Sequence, residues 1–91
     1  MDIMQELFQV IMDRKANPVE GSYTNYLMGK GTEKIAKKVG EEAVETAIAA
    51  AKKDKNEVVA ELADLEYHML VLMADMGITL EDLYGELKSR R

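Results

Sequence analysis

The chain has 91 residues, carries 12 Lys and Arg against 17 Asp and Glu for a formal net charge of −5, and contains no cysteine. Without cysteine there is neither a disulfide framework nor a thiolate metal site, and the acidic balance argues against a nucleic-acid binder that works by neutralising phosphates. No apolar run approaches the ~20 residues of a membrane helix, and the opening Met1-Asp2-Ile3-Met4-Gln5-Glu6 lacks the basic region of a signal peptide, so a cytoplasmic protein with no membrane partner is expected.

The length suits one domain over 1–91, in a size range where a single core is thin and association adds stability. Ala, Leu, Met, Glu and Lys dominate, and no stretch alternates with period two. The expected fold class is all-α: a helical bundle with two long central helices, completed by dimerisation.

Ile3, Leu7, Val10 and Ile11 recur at helical spacing and predict a first helix from Asp2 to Lys15. Pro18 and Gly21 break it. Ser22 is placed to cap a short helix through Met28, with Gly29-Lys30-Gly31 as a turn. Thr32 is the expected cap of a long helix from Glu33 to Lys53, and Asn56 that of a fourth helix from Glu57 to Met76. Gly77 can take the left-handed conformation that ends a helix. Thr79 and Asp82 resemble a capping box opening a last helix from Leu80 to Lys88.

At 100° per residue, Ile35, Val39, Ala43, Thr46 and Ala50 define an inward face of the third helix. Glu42 falls about 20° from Ile35, inside that arc, and Glu45 lies at its edge with Lys34 and Lys38. The fourth helix is apolar on almost every side from Leu62 to Met76, as befits the middle of a bundle. Glu61, Asp64, His68 and Asp75 nevertheless form one narrow stripe along it. Carboxylates on a core helix are costly unless paired or bound to a metal.

Each long helix thus presents an i, i+3 pair, Glu42 with Glu45 and Glu61 with Asp64, and an antiparallel hairpin would bring the pairs together. Their mutual repulsion calls for a hard divalent cation. An all-oxygen set points to Mg²⁺, with Mn²⁺ as the alternative, and not to Zn²⁺. The competing reading is a solvated face on which Glu41, Glu42 and Glu45 pair with neighbouring lysines. For His68 a hydrogen-bonded core role outweighs ligation. The seven methionines fill the core or a subunit interface.

The pattern Glu42-x-x-Glu45 followed by Glu61-x-x-Asp64 resembles the motif of the all-α nucleoside triphosphate pyrophosphohydrolases, the MazG-like superfamily. Three further segments are more specific: Glu20-Gly21-Ser22-Tyr23-Thr24, Lys34 through Glu42, and Ala63 through Leu72. Together they resemble the phosphoribosyl-ATP pyrophosphohydrolases, over nearly the whole chain. The resemblance implies a Mg²⁺-dependent hydrolase acting on a nucleotide, phosphoribosyl-ATP, in the second step of histidine biosynthesis, and a homodimer. It implies Glu42, Glu45, Glu61 and Asp64 as metal ligands, with Glu41 as a further ligand or water-orienting group. Lys34, Lys37 and Lys38 match a basic run that contacts phosphates, and Lys30 is a further candidate. Ser22, Tyr23 and Thr24 match a segment suited to closing over substrate. Glu66 departs from the pattern where an apolar residue is expected. The rival readings are a hydrolase of ordinary or damaged nucleoside triphosphates and a non-catalytic oligomerisation module.

Overall fold

Five helices make up residues 2–91, the part of the chain described by the computed structural model, and no strand occurs among them. Helix α1 (Ile3–Ala16) opens with Asp2 and Gln5 exchanging side-chain and backbone hydrogen bonds at 2.9 and 3.0 Å. That reciprocal box satisfies two backbone donors that the first turn leaves unpaired. Helix α2 (Tyr23–Lys30) is capped by Ser22, whose hydroxyl accepts from the Asn25 amide at 3.2 Å.

Several boundaries differ from the expectation, three of them with a visible cause. Helix α2 runs past Met28, so Gly29 and Lys30 are helical, and the break falls on Gly31 at φ 94°. Such a φ suits glycine, which carries no Cβ. Because Gly31 makes the turn, Thr32 is the first residue of α3 (Thr32–Ala51) and not its cap. Its hydroxyl is free to donate to Asp75 Oδ2 at 2.5 Å. The cap of α4 (Lys55–Met76) is Asp54, accepting from the Glu57 amide at 3.1 Å, two residues before the expected Asn56. Asp and Asn cap almost equally well, so propensity does not choose between them. Capping at Asp54 leaves a tight turn, Lys52-Lys53-Asp54, with Lys53 left-handed at φ 59°.

Gly77 closes α4 in the left-handed conformation at φ 72°, and Lys15 Nζ donates to the Ala74 carbonyl at 2.7 Å. An ammonium there meets the negative end of the helix dipole. Thr79 and Asp82 form the expected capping box of α5 (Leu80–Arg90), which runs two residues beyond Lys88.

Helix α4 packs against α1, α2 and α3 and forms an antiparallel hairpin with α3. The core gathers Phe8, Ile11, Leu27 and Ile35 around Leu70, Val71, Met73 and Ala74, with Leu80 closing one end. It therefore occupies the half of the hairpin remote from the turn. The buried residues of α3 are Ile35, Glu42 and Ala49, seven apart. A seven-residue repeat is the narrow seam of coiled-coil-like packing. The inward arc is correspondingly narrower than predicted: Val39 and Thr46 are half-buried, whereas Ala43 and Ala50 are exposed. Nearer the turn the hairpin stands bare, with Val44, Ile48, Val59 and Leu62 all exposed.

Candidate metal centre

The acidic pairs occupy matching levels of the hairpin. Glu45 and Glu61 each stand eight residues from Lys53, at the centre of the turn, and Glu42 and Asp64 each stand eleven. With an equal rise of about 1.5 Å per residue on both arms, each residue lies level with its counterpart. At the far end of the hairpin the Thr32–Asp75 hydrogen bond still ties the two arms together, one residue off that register. Glu42, Glu45 and Glu61 offer carboxylate oxygens that lie within 4.8 Å of one another.

Charge at this spot is poorly compensated. Glu42 is buried and Glu61 half-buried, and the Oε2 of each lies buried with no hydrogen-bond partner among the described residues. Lys38 Nζ lies 3.8 Å from Glu42 Oε1 and 3.7 Å from Glu41 Oε2. Burial pushes the Glu42 carboxyl above its ordinary range, and Glu45 and Asp64 push it the same way, against a lowering by His68. Burial likewise raises Glu61, with Glu45, Asp64 and Glu42 adding to it. The Lys38 ammonium is pulled down by burial, but Tyr23, Glu41 and Glu42 outweigh this and hold it above its usual value.

These features fit a hard divalent cation. A buried carboxylate oxygen without a donor loses hydration with nothing to replace it. A cation shared by Glu42, Glu45 and Glu61 would supply that partner and cancel the repulsion that raises the two carboxyls. The donor set is all oxygen, as Mg²⁺ or Mn²⁺ prefers.

The expected site residues divide by environment. Asp64 is exposed and lies outside the three-residue cluster, acting on Glu42 and Glu61 through its charge. Glu41 is exposed and paired with Lys38. Lys34 is half-buried and Lys37 exposed, and neither forms an ion pair among the described residues. Ser22 is engaged as the α2 cap, and the buried Thr24 hydroxyl is hydrogen-bonded to Tyr67. Tyr23 is thus the member of that segment left facing outward. Glu66 is half-buried, beside a hollow lined by Ile3, Met4, Leu7 and Leu62, so the departure from the family pattern sits at a packing edge and not among the carboxylates.

His68 takes the hydrogen-bonded core role. It is buried, with Nδ1 2.7 Å from the Asp64 carbonyl and Nε2 3.0 Å from the Tyr23 hydroxyl. Tyr67 lies in the apolar stretch of α4, yet its hydroxyl reaches Thr24 and its ring stacks on Tyr23 at 6.1 Å. Tyr26 lay in a predicted helix with no assigned role, although its spacing of three from Tyr23 was visible and marks a shared helix face.

An all-α domain whose central hairpin brings a Glu-x-x-Glu pair level with a Glu-x-x-Asp pair has the arrangement that the resemblance to the all-α nucleoside triphosphate pyrophosphohydrolases implies. Residues 4–91 match the phosphoribosyl-ATP pyrophosphohydrolase family, and the chain belongs to it. A phosphoribosyl-ATP pyrophosphatase of Clostridium novyi is 50% identical over 91 residues, covering 100% of this chain and 83% of that protein. One from Bacillus mycoides is 51% identical over 89 residues, covering 98% of this chain and 83% of the relative. The histidine biosynthesis bifunctional protein HisIE of Thermoanaerobacter pseudethanolicus is 60% identical over 84 residues, or 92% of this chain. The match covers 39% of that relative, so the chain spans well under half the length of the bifunctional protein.

Proposed function

We propose that the chain hydrolyses phosphoribosyl-ATP, with water, to phosphoribosyl-AMP and pyrophosphate, in a Mg²⁺-dependent reaction that is the second step of histidine biosynthesis. The observation that carries this reading is the pair of buried, unpartnered oxygens on Glu42 and Glu61 beside Glu45, in a chain of this family. Glu42, Glu45 and Glu61 hold the cation, with Asp64 as the fourth ligand. A bound Mg²⁺ would supply positive charge against the triphosphate and Lewis acidity to activate water.

The remaining steps belong to side chains. Glu41, exposed beside the cluster, or Glu45, at its exposed edge, orients the attacking water and accepts its proton. Lys38, held in its charged form, faces the anionic oxygens and stabilises the departing pyrophosphate. Lys34 and Lys37, on the same helix, extend the cationic edge towards the rest of the triphosphate.

The apolar residues bared near the hairpin turn, Val44, Ile48, Val59 and Leu62, support a homodimer in which a second copy covers them. A cytoplasmic location goes with the same reading. The experiment is turnover by Glu42→Gln against the wild type, alongside a panel of phosphoribosyl-ATP, ATP, dCTP and dUTP. Loss of pyrophosphate release with the helical fold retained, and preference for phosphoribosyl-ATP in the wild type, are the expected results. Wild-type turnover in Glu42→Gln would remove Glu42 from the mechanism, and preference for a plain nucleotide would favour a general nucleotide hydrolase.

A further inference from the structure

Helix α2 carries a stripe with no part in the chemistry above. Tyr23, Tyr26 and Lys30 recur at i, i+3 and i+7 and so share one helix face. Tyr23 is 45% exposed and Tyr26 51%, a large aromatic surface to leave in water. Their rings lie 6.1 Å apart at 20°, and the Lys30 ammonium stands 5.5 Å from the centre of the Tyr26 ring.

The inner end of this stripe is fastened to the acidic centre. The Tyr23 hydroxyl is 3.0 Å from Nε2 of the buried His68, whose Nδ1 is 2.7 Å from the carbonyl of Asp64. A carbonyl can only accept, so Nδ1 carries a proton, and Nε2 is left to bond the Tyr23 hydroxyl. Together the two bonds hold the Tyr23 ring beside the hairpin. Lys38 and Glu42 lie close enough for their charges to act on Tyr23. From Tyr23 the stripe runs outward for about 10 Å, seven residues at the helical rise, and ends in a cation.

We propose that this stripe is the subsite that distinguishes phosphoribosyl-ATP from ATP: the rings of Tyr23 and Tyr26 take the purine, and Lys30 pairs with the phosphate of the phosphoribosyl group. The assignment rests on the reaction proposed above. The two nucleotides share base, ribose and triphosphate, and differ by one phosphoribosyl unit that ends in a phosphate. With the triphosphate anchored at the carboxylates and Lys38, the base follows along the stripe and the added phosphate lies beyond it, where Lys30 stands. Aromatic faces accept any base, so the rings supply affinity and the terminal cation supplies the discrimination. The exposed Val44, Ile48, Val59 and Leu62 form a purely aliphatic patch and lack this alternation of rings and charge. His68 is a positioning residue, acting through Tyr23.

The test is calorimetric binding of phosphoribosyl-AMP and of AMP, which carry no pyrophosphate and are not turned over. Wild type should bind phosphoribosyl-AMP about tenfold more tightly than AMP, as one charge-assisted contact allows. Lys30→Gln should erase that preference and leave AMP binding unchanged, while Lys30→Arg retains it. Tyr26→Leu should weaken both ligands to the same degree. Equal binding of the two ligands by wild type, or an undiminished preference in Lys30→Gln, would overturn the subsite. Pyrophosphate release from phosphoribosyl-ATP by the wild type reports on the reaction separately. Its failure, with the binding preference present and dependent on Lys30, would overturn the reaction and leave the subsite supported.

Discussion

Glu42 and Glu61 meet across the α3–α4 hairpin with one buried carboxylate oxygen each and no hydrogen-bond donor for either. A folded protein tolerates such a pair at a cost, and a cation bound between them would lower it. Adding Mg²⁺ or Mn²⁺ should therefore raise the thermal midpoint, and EDTA should reverse the rise. At 100 times the dissociation constant the gain is about 2.7 kcal/mol, or roughly 14 °C for a domain of this size. A chain whose midpoint ignores both ions would have no such site.

Replacing Glu42 by Gln separates the metal from the fold. The variant should lose the metal-dependent rise and at least about a hundredfold in turnover, since removing even groups that only support metal ligands costs 10–100-fold. In the metal-free state it should melt at or above the wild-type temperature, because a charge raised by burial and by Glu45 has been removed. Differential scanning calorimetry with and without Mg²⁺ measures both effects.

The same carboxyls give the metal-free protein a pH dependence of definite sign. Glu42 and Glu61 are both raised above the ordinary value of 4.5, so between that value and their folded values the folded chain binds more protons than the unfolded one. Their contribution is fully present below the unfolded value and is lost as pH rises through the folded values. The metal-free protein should accordingly be more stable near pH 5 than near pH 7 as far as these groups are concerned. Excess Mg²⁺ should reverse this part of the trend, because the cation needs the deprotonated ligands. Denaturant midpoints across that range, with Mg²⁺ or with EDTA, are the check.

The hairpin turn offers a change remote from the chemistry. Lys53 is left-handed at φ 59°, a conformation that costs a side-chain-bearing residue roughly 1 kcal/mol. Lys53→Gly should stabilise the fold by about 0.5–1 kcal/mol with turnover unchanged, whereas Asp54→Ala removes the α4 cap and should cost about 1 kcal/mol. Urea unfolding of the two variants should move in opposite directions.

Much of this arrangement could be read from residue spacing. The i, i+3 pairs and the seven-residue step from Ile35 to Glu42 place Glu42 on the inward face, and it is buried. His68 is the hydrogen-bonded core histidine that its place on α4 suggested. The register of the hairpin was harder to read, because it depends on whether Asp54 or Asn56 caps α4, and the two caps are nearly equal in energy. The exposure of Ala43 and Ala50 was missed because a helical wheel shows which residues share a face. It does not show how wide a strip a single neighbouring helix covers. The bonds of Tyr23 and Tyr67 join α2 to α4 across more than 40 positions of sequence, beyond the reach of any local pattern.

The bare apolar face carries its own prediction. A charge at its centre, as in Ile48→Glu, should shift sedimentation from dimer to monomer and lower the thermal midpoint at a given concentration. A wild-type chain that sediments as a monomer at every concentration would contradict the homodimer.

The central claim is tested most directly by pyrophosphate release from phosphoribosyl-ATP by the purified wild type, first with Mg²⁺ and then with EDTA. The account predicts rapid release that stops on chelation and resumes when Mg²⁺ is restored. A folded protein that releases no pyrophosphate with Mg²⁺ supplied, or releases it equally well in EDTA, would contradict the account.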